Sequence, residues 1–251
     1  PHGTEIFIED KPEEKSFNGD LLLASSFNVK NYYKKKFKGI PISIIGIPRY
    51  DPKWISTLKK EIKFKENTNS KFKILFITRG PHPTDLSKKD FLYLVNSISS
   101  ICENSNIQLL VRSHPRYSKA LLSNIFITYK NLDWKFEDDN LVTISNDLNL
   151  VVAMWSTMIL DALVLKIPVI EFFKCGNKRI WSKNSSGSSI TGYEKNKIVI
   201  SAKSKHELKT FINEIMIGDL DKVNKTFFKF DEIFNLNESS IDNSINAITN
   251  N

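Results

Sequence analysis

The residues able to do chemistry in this chain fall into a few short clusters. Arg112-Ser-His-Pro-Arg116 sets two guanidinium groups either side of a histidine, His114, whose backbone Pro115 restrains. Arg79-Gly80 stands ahead of Pro-His-Pro, and Ser156-Thr157 places two hydroxyls side by side. Toward the N-terminus lie His2-Gly3-Thr4 and Gly46-Ile-Pro-Arg-Tyr-Asp51. The only arginines are Arg49, Arg79, Arg112, Arg116 and Arg179, and four of these five sit in or beside the clusters. Arginine's planar fork makes paired hydrogen bonds to phosphate, so the pattern points to phosphate recognition. Metal chemistry has no footing, because there is no cysteine cluster and no histidine pair at helical spacing. GxSxG, GxxxxGK[ST] and GxGxxG are all absent, which counts against serine-hydrolase, P-loop and typical dinucleotide-binding readings. Some roles stay open. Arg49 and Asp51 either pair locally or face a cleft, and His114 either meets a ligand or caps a carbonyl.

These clusters need elements to position them. Residues 151–173 read strand, tight turn, short helix, strand, with Ser156 and Thr157 at the helix start and Pro168 just past its end. Backbone N–H groups at a helix N-terminus suit a phosphate, and the two hydroxyls there either cap the helix or bond the ligand. No Glu or Gln follows Ser156 by three residues, so no capping box competes for them. Alone, this stretch is an ordinary crossover between strands. Further strands are expected at 21–24, 42–45, 74–78, 107–111, 142–144 and 197–201. Helices are expected at 28–38, 52–60, 85–102, 117–123, 205–217, 220–230 and 241–248, and the polar stretch 130–140 has no clear assignment. Alternation of strands and helices predicts an α/β protein with a doubly wound parallel sheet. Ligands bind such sheets at the C-terminal ends of the strands, where the loops at Arg79, Arg112–Arg116 and Ser156-Thr157 all open. A polar segment without apolar period, 63–72, reads as a linker.

Composition narrows the classes. Of 251 residues, 41% are hydrophobic and 25% charged, as in a soluble globular protein. No apolar run approaches a membrane span, and the first ten residues lack the pattern of a signal peptide. Cys102 and Cys175 make no framework, so a reducing cytoplasm is expected. The net charge of +8 comes from lysines interleaved with acids along the chain, not from one basic stripe, so nucleic acid is not expected as a partner. Peripheral attraction to anionic lipid at the inner face of the cell membrane fits the charge.

Taken together, the motifs match a family. His2-Gly3-Thr4, GxPRxD at Gly46–Asp51, His114-Pro115 and S-[ST]-x-x-x-D at Ser156–Asp161 occur in this order, and A-L-x-L-K-x-P-V-I follows at Ala162–Ile170. The set resembles the CDP-glycerol glycerophosphotransferase-like proteins, and more broadly the surface-polysaccharide glycosyltransferases of the GT-B fold, over nearly the whole chain. That resemblance implies two Rossmann-like domains facing across a cleft. The chain would then hold the end of a truncated N-terminal, acceptor-side domain (1–62), a nucleotide-donor domain (73–219) and C-terminal helices (220–251) that cross back to the first domain. It implies His114, Ser156 and Thr157 near the donor phosphates and His2 as base for the acceptor hydroxyl. Arg79, Arg112 and Arg116 join the donor site from their places at strand ends. Asp161, one turn into the helix, either orients the Thr157 hydroxyl or reaches a ribose. The sequence departs from the family at Ala153-Met154-Trp155, where Thr-Asp-Tyr is frequent, and at Thr157, where serine is frequent.

The implied activity is transfer of a glycosyl or glycerophosphoryl group from a CDP-, CMP- or UDP-type donor to a polysaccharide or polyol-phosphate acceptor, in bacterial capsule or teichoic-acid-like polymer synthesis. It needs a base at the acceptor and positive groups on the leaving phosphate, with no cofactor beyond the donor. Two other readings compete. One is a nucleotide-sugar 2-epimerase-like GT-B enzyme; the other is a non-catalytic nucleotide- or polyanion-binding module.

Overall fold

A computed structural model describes residues 19–61, 71–176, 181–234 and 238–250. His2, Arg179 and all but the last two residues of the expected linker lie outside the described residues. The chain forms two compact units, one taking residues up to 62 together with those from 227 onward, the other residues 63–226.

In the first unit, β1 (Leu22–Ala24) pairs in parallel with β2 (Ile42–Ile44), Leu22 opposite Ile42. Between them runs α1 (Phe27–Lys36), capped by Ser26, whose hydroxyl accepts from the Val29 N–H at 3.3 Å. Its last turn carries Lys34, Lys35 and Lys36, where cations suit the exposed carbonyls. Leu22, Ala24 and Val29 make a small core with Tyr33, Phe37, Ile40 and Ile42. After Gly46, which turns the chain at a φ of 77°, come a 3-10 turn at Pro48–Tyr50 and α2 (Pro52–Glu61).

The second unit is built on six parallel strands. In chain order these are β3 (Phe72–Ile77), β4 (Ile107–Arg112), β5 (Trp134–Phe136), β6 (Leu150–Ala153) and β7 (Val169–Phe172), then, after a two-residue antiparallel pair of β8 (Ser182–Lys183) with β9 (Ser189–Ile190), β10 (Ile200–Ala202). Their order across the sheet is β10-β7-β6-β3-β4-β5. Helices cover both faces, which is why β6 and the Ile74–Ile77 part of β3 read as unbroken apolar runs: Ile74, Leu75, Phe76 and all of Leu150–Ala153 are fully buried. The helices are α3 (Lys88–Cys102), α4 (Lys119–Phe126), α5 (Leu141–Ile144), α6 (Met158–Val164), α7 (Gly192–Lys195) and α8 (Lys205–Met216). α9 (Asp221–Phe234) crosses the boundary between the units, and α10 (Ser240–Thr249) belongs to the first.

Two local expectations are corrected, and one open stretch gains an assignment. The helix expected from residue 85 begins at Lys88, with Ser87 as its cap; residues 82–86 instead close a tight loop through an antiparallel bridge of His82 with Leu86. The strand expected at 142–144 is the single helical turn α5, started by Asn140, whose side chain accepts from the Val142 N–H at 3.0 Å. Three apolar residues carry no period, so the cap decides between strand and turn. The unassigned polar stretch 130–140 holds β5, an edge strand with Lys135 exposed. Among the described residues no helix is long and apolar enough to cross a membrane.

Candidate functional site

From β3 the chain moves outward in one direction to β4 and β5, then returns to the other side of β3 for β6, β7 and β10. The order therefore reverses between β3 and β6. At such a point the loops leaving two adjacent parallel strands diverge and open a crevice, the usual ligand position in this architecture. The loop after β3 carries Arg79 and the turn after β6 carries Trp155, Ser156 and Thr157. On the far side of β3, the loop after β4 brings His114 and Arg116.

Arg79 is the link among these loops. Its Nη2 donates to Asp85 Oδ2 at 2.8 Å, and its guanidinium carbon lies 4.3 Å from the centre of the Trp155 ring. Asp85 is almost fully buried, and its other oxygen accepts from the Thr84 hydroxyl at 3.0 Å. Thr84 also shares a 2.9 Å hydrogen bond with His82 Nδ1. The Asp85 carbonyl takes the Gly176 N–H at 2.8 Å, so the loop after β7 is tied in too. A Cβ on Gly176 would come within 2.7 Å of the Thr84 carbonyl oxygen, which explains the glycine.

His114 and Arg116 are fixed by their own loop. The Arg116 N–H donates to His114 Nδ1 at 3.2 Å, which places the proton of the neutral ring on Nε2 and leaves Nε2–H as a donor. Burial, then the charges of Arg79 and Arg116, hold the imidazole below its ordinary pKa, so it is neutral near pH 7. Tyr117 packs beside it, ring centres 6.0 Å apart, and its hydroxyl donates to the Pro81 carbonyl at 2.8 Å. That bond couples the His114 loop to the Arg79 loop. Gly80 makes room for the ring, since a Cβ there would sit 2.1 Å from Tyr117 Cδ1.

The turn after β6 is strained. Trp155 adopts a φ of 39°, a region that costs a bulky side chain energy. Its ring packs 4.8 Å from Trp181 and 5.9 Å from Phe173, and Trp181 Nε1 donates to the Gly176 carbonyl at 2.7 Å. The two hydroxyls divide their roles: Ser156 Oγ accepts from the Met158 N–H at 3.3 Å, while Thr157, the N-cap of α6, makes no side-chain cap bond and is exposed. Asp161, in the first turn of α6, is half-buried and acts electrostatically on Arg112 and Tyr193.

The remaining expected residues make other contacts. Arg112 turns its guanidinium to main-chain carbonyls, Nε to Glu137 at 3.0 Å and Nη2 to Asp139, anchoring the segment after β5. Asp51 is buried in the first unit: Oδ1 accepts from the N–H groups of Lys53 and Trp54 at the start of α2, and Oδ2 from Ser239, Ser240 and the Ile241 N–H at the start of α10. Arg49 lies with its guanidinium carbon 5.1 Å from the Tyr50 ring centre. His2 is outside the described residues. Sequence reasoning passed over Asp85, Tyr117 and the fully buried Glu171 of β7, though an acid inside the apolar run Val169–Phe172 was a visible signal. Among the described residues no group of three His, Cys, Asp or Glu side chains is placed to hold a metal ion.

No family model matches the chain, and no curated protein matches it in sequence. Solved structures do match it in shape. S. aureus MnaA with UDP superposes with a TM-score of 0.57 at 10% identity, over 92% of this chain and 61% of that one. A putative UDP-N-acetylglucosamine 2-epimerase from Listeria monocytogenes gives 0.54 at 13%, over 83% and 54%. The wall teichoic acid polymerase TagF, soaked with CDPG, gives 0.52 at 13%, over 92% and 56%. The chain has a GT-B-like α/β fold built on a Rossmann-like parallel sheet. At such identities the likeness concerns architecture alone, and the chain spans little more than half the length of these structures.

Proposed function

We propose that this chain binds the nucleotide-activated donor of a GT-B transferase that moves a glycosyl or glycerophosphoryl group in surface-polymer synthesis. The observation that carries the reading is the meeting of three loops at the reversal of strand order. There Arg79, the His114 Nε2–H donor and Arg116 stand with the Ser156-Thr157 turn at one edge of the sheet. Two guanidinium groups, a neutral imidazole donor and two hydroxyls make a set suited to a diphosphate. Stabilising the leaving nucleoside diphosphate is the main electrostatic demand of such a transfer. Two of the similarly folded structures, those with CDPG and with UDP, carry ligands of that chemical class. In this reading His2 is the base for the acceptor hydroxyl, the acceptor is a polysaccharide or polyol phosphate, and Asp161 lies near the ribose end of the donor.

Calorimetric titration of CMP, CDP and UDP into the full chain tests the assignment. A diphosphate should bind more tightly than the monophosphate. Ser156→Ala combined with Thr157→Val should weaken the diphosphate by about tenfold, the loss of one or two hydrogen bonds to a charged group. Equal affinity of the native and doubly substituted chains would remove the turn from the site.

A further inference from the structure

Glu171 lies in the middle of the sheet, opposite Ala153 of β6 on one side and Ser201 of β10 on the other. It is fully buried. Oε2 accepts from the Thr191 hydroxyl at 2.6 Å, and among the described residues Oε1 finds no hydrogen-bond partner. Thr191 is the N-cap of α7: the same hydroxyl that donates to Glu171 accepts from the Glu194 N–H at 3.2 Å. Glu171 therefore anchors the start of α7. The next residue but one after Thr191 is Tyr193, buried, whose phenol burial pushes up. Glu171 and Asp161 push it the same way, while Arg79 opposes them. Glu171 also adjoins the turn of the donor site: it faces Ala153, two residues before Trp155, and Phe173, two residues after Glu171, packs its ring 5.9 Å from that of Trp155.

An ionised Glu171 has no adequate counter-charge here. The charged groups near it are Lys203 and Glu194, and these pair with each other at 2.5 Å, with Glu194 Oε2 also accepting from the Ser201 hydroxyl at 3.0 Å. Tyr193 is neutral, and Thr191 offers a single donor. A buried carboxylate with one bare oxygen is costly, whereas a carboxylic acid in the same place is not charged at all.

We propose that Glu171, beside the turn that carries Trp155, is a positioning residue that works as a neutral carboxylic acid, fixing the start of α7 through Thr191, and that its ionisation weakens nucleotide binding. The proposal rests on the donor-site reading for its second half only. Burial is the chief cause that moves the Glu171 carboxyl up to about 7; the Thr191 bond and Lys203 act against it, and Glu194 acts with it. An acid whose proton is held more tightly in the folded chain stabilises the fold below its unfolded value. That contribution is lost as pH rises from there through the folded value near 7.

The test compares the native chain with Glu171→Gln, which keeps the shape and the Thr191 bond without titrating, from pH 4.5 to 8.5. Thermal unfolding of the native chain should fall behind that of E171Q as pH rises to about 7. The gap should reach roughly 5 °C and then stay constant. CDP affinity, measured alongside, should be similar for the two at pH 5.5 and about threefold weaker for the native chain at pH 8.5, the size of a modest coupling. Unfolding curves that shift in parallel across the range overturn the proton-holding role. A stability gap with a constant affinity ratio overturns the coupling to the donor site. Absence of CDP binding by both proteins at every pH overturns the donor-site reading and the coupling with it, while the stability gap still decides the proton. If E171Q does not fold, Glu171→Met, apolar and of similar length but without the Thr191 bond, gives the non-titrating reference for the pH dependence of stability and of the affinity ratio.

Discussion

Arg79 lies over the Trp155 ring, guanidinium carbon 4.3 Å from the ring centre, although the two leave different strands. Trp155 holds a backbone conformation that most side chains avoid, at a φ of 39°. Three partners hold it there: Arg79 on one side, Trp181 and Phe173 on others. A strained residue persists where its surroundings over-determine it, and the aromatic packing supplies that here. The charge at the crevice and the strained turn are in consequence one assembly.

Arg79→Lys keeps the charge but loses the guanidinium over the Trp155 ring and the fixed geometry of the bond to Asp85. Binding of CDP should weaken by about tenfold or more, since a single donor replaces a fork. Stability should fall by about 1 kcal/mol, a typical cation–π contribution. Calorimetry and urea unfolding read the two effects separately. Full retention of affinity in the lysine variant would place the phosphate elsewhere.

Arg112→Lys should behave in the opposite way. Its guanidinium donates to the main-chain carbonyls of Glu137 and Asp139. Lysine should cost about 2 kcal/mol of stability, as for hydrogen bonds to a charged group, and change CDP affinity less than twofold. Urea unfolding and the same titration distinguish this from a phosphate-binding role.

The contrast between these two arginines shows what the sequence could and could not carry. Their strand-end positions were legible, because runs such as Ile74–Ile77 and Leu109–Val111 bury on both faces and end where a charge first appears. The partners were not. Arg112 meets carbonyls 25 and 27 residues downstream, beyond an edge strand hidden in a polar segment. Asp85 falls at the start of the helix expected over 85–102, yet it turns inward, because Ser87 supplies the cap of α3 and frees it to pair with Arg79. Asp51 had a sequence signature, a polar residue just before a helix. Its second set of bonds comes from Ser239 to Ile241, 188 residues or more away, which no local pattern encodes.

His114 should carry its proton on Nε2 at pH 7.5. The Arg116 N–H already donates to Nδ1, and burial with Arg79 and Arg116 nearby disfavours the doubly protonated ring. Nitrogen chemical shifts of the imidazole report the tautomer directly. Added CDP should draw the pKa upward, since a bound phosphate favours the cation. His114→Ala should abolish this response and weaken CDP by about tenfold. A ring protonated on Nδ1 would contradict the geometry.

Asp51 gives a prediction about the first unit alone. Burial pushes its carboxyl up, but the bonds from the Ile241 N–H, the Ser239 hydroxyl and the Lys53 and Trp54 N–H groups outweigh that, so its pKa is lowered overall. A carboxylate with a depressed pKa stabilises the fold at pH values above the unfolded value near 3.8, and that stabilisation disappears as pH falls through the folded value. Asp51→Asn should therefore destabilise the first unit by about 2 kcal/mol at pH 7, because the amide presents a donor where Ser240 and Ile241 also donate. The difference should shrink as pH falls below the unfolded value and through the lowered folded one, where the native carboxyl is itself protonated. Amide hydrogen exchange at Lys53, Trp54 and Ile241 reads this locally, as each N–H bonds Asp51 directly. Faster exchange at all three in the asparagine variant is the expected result. Unchanged exchange at Ile241 would mean that α10 is held by contacts other than this carboxylate.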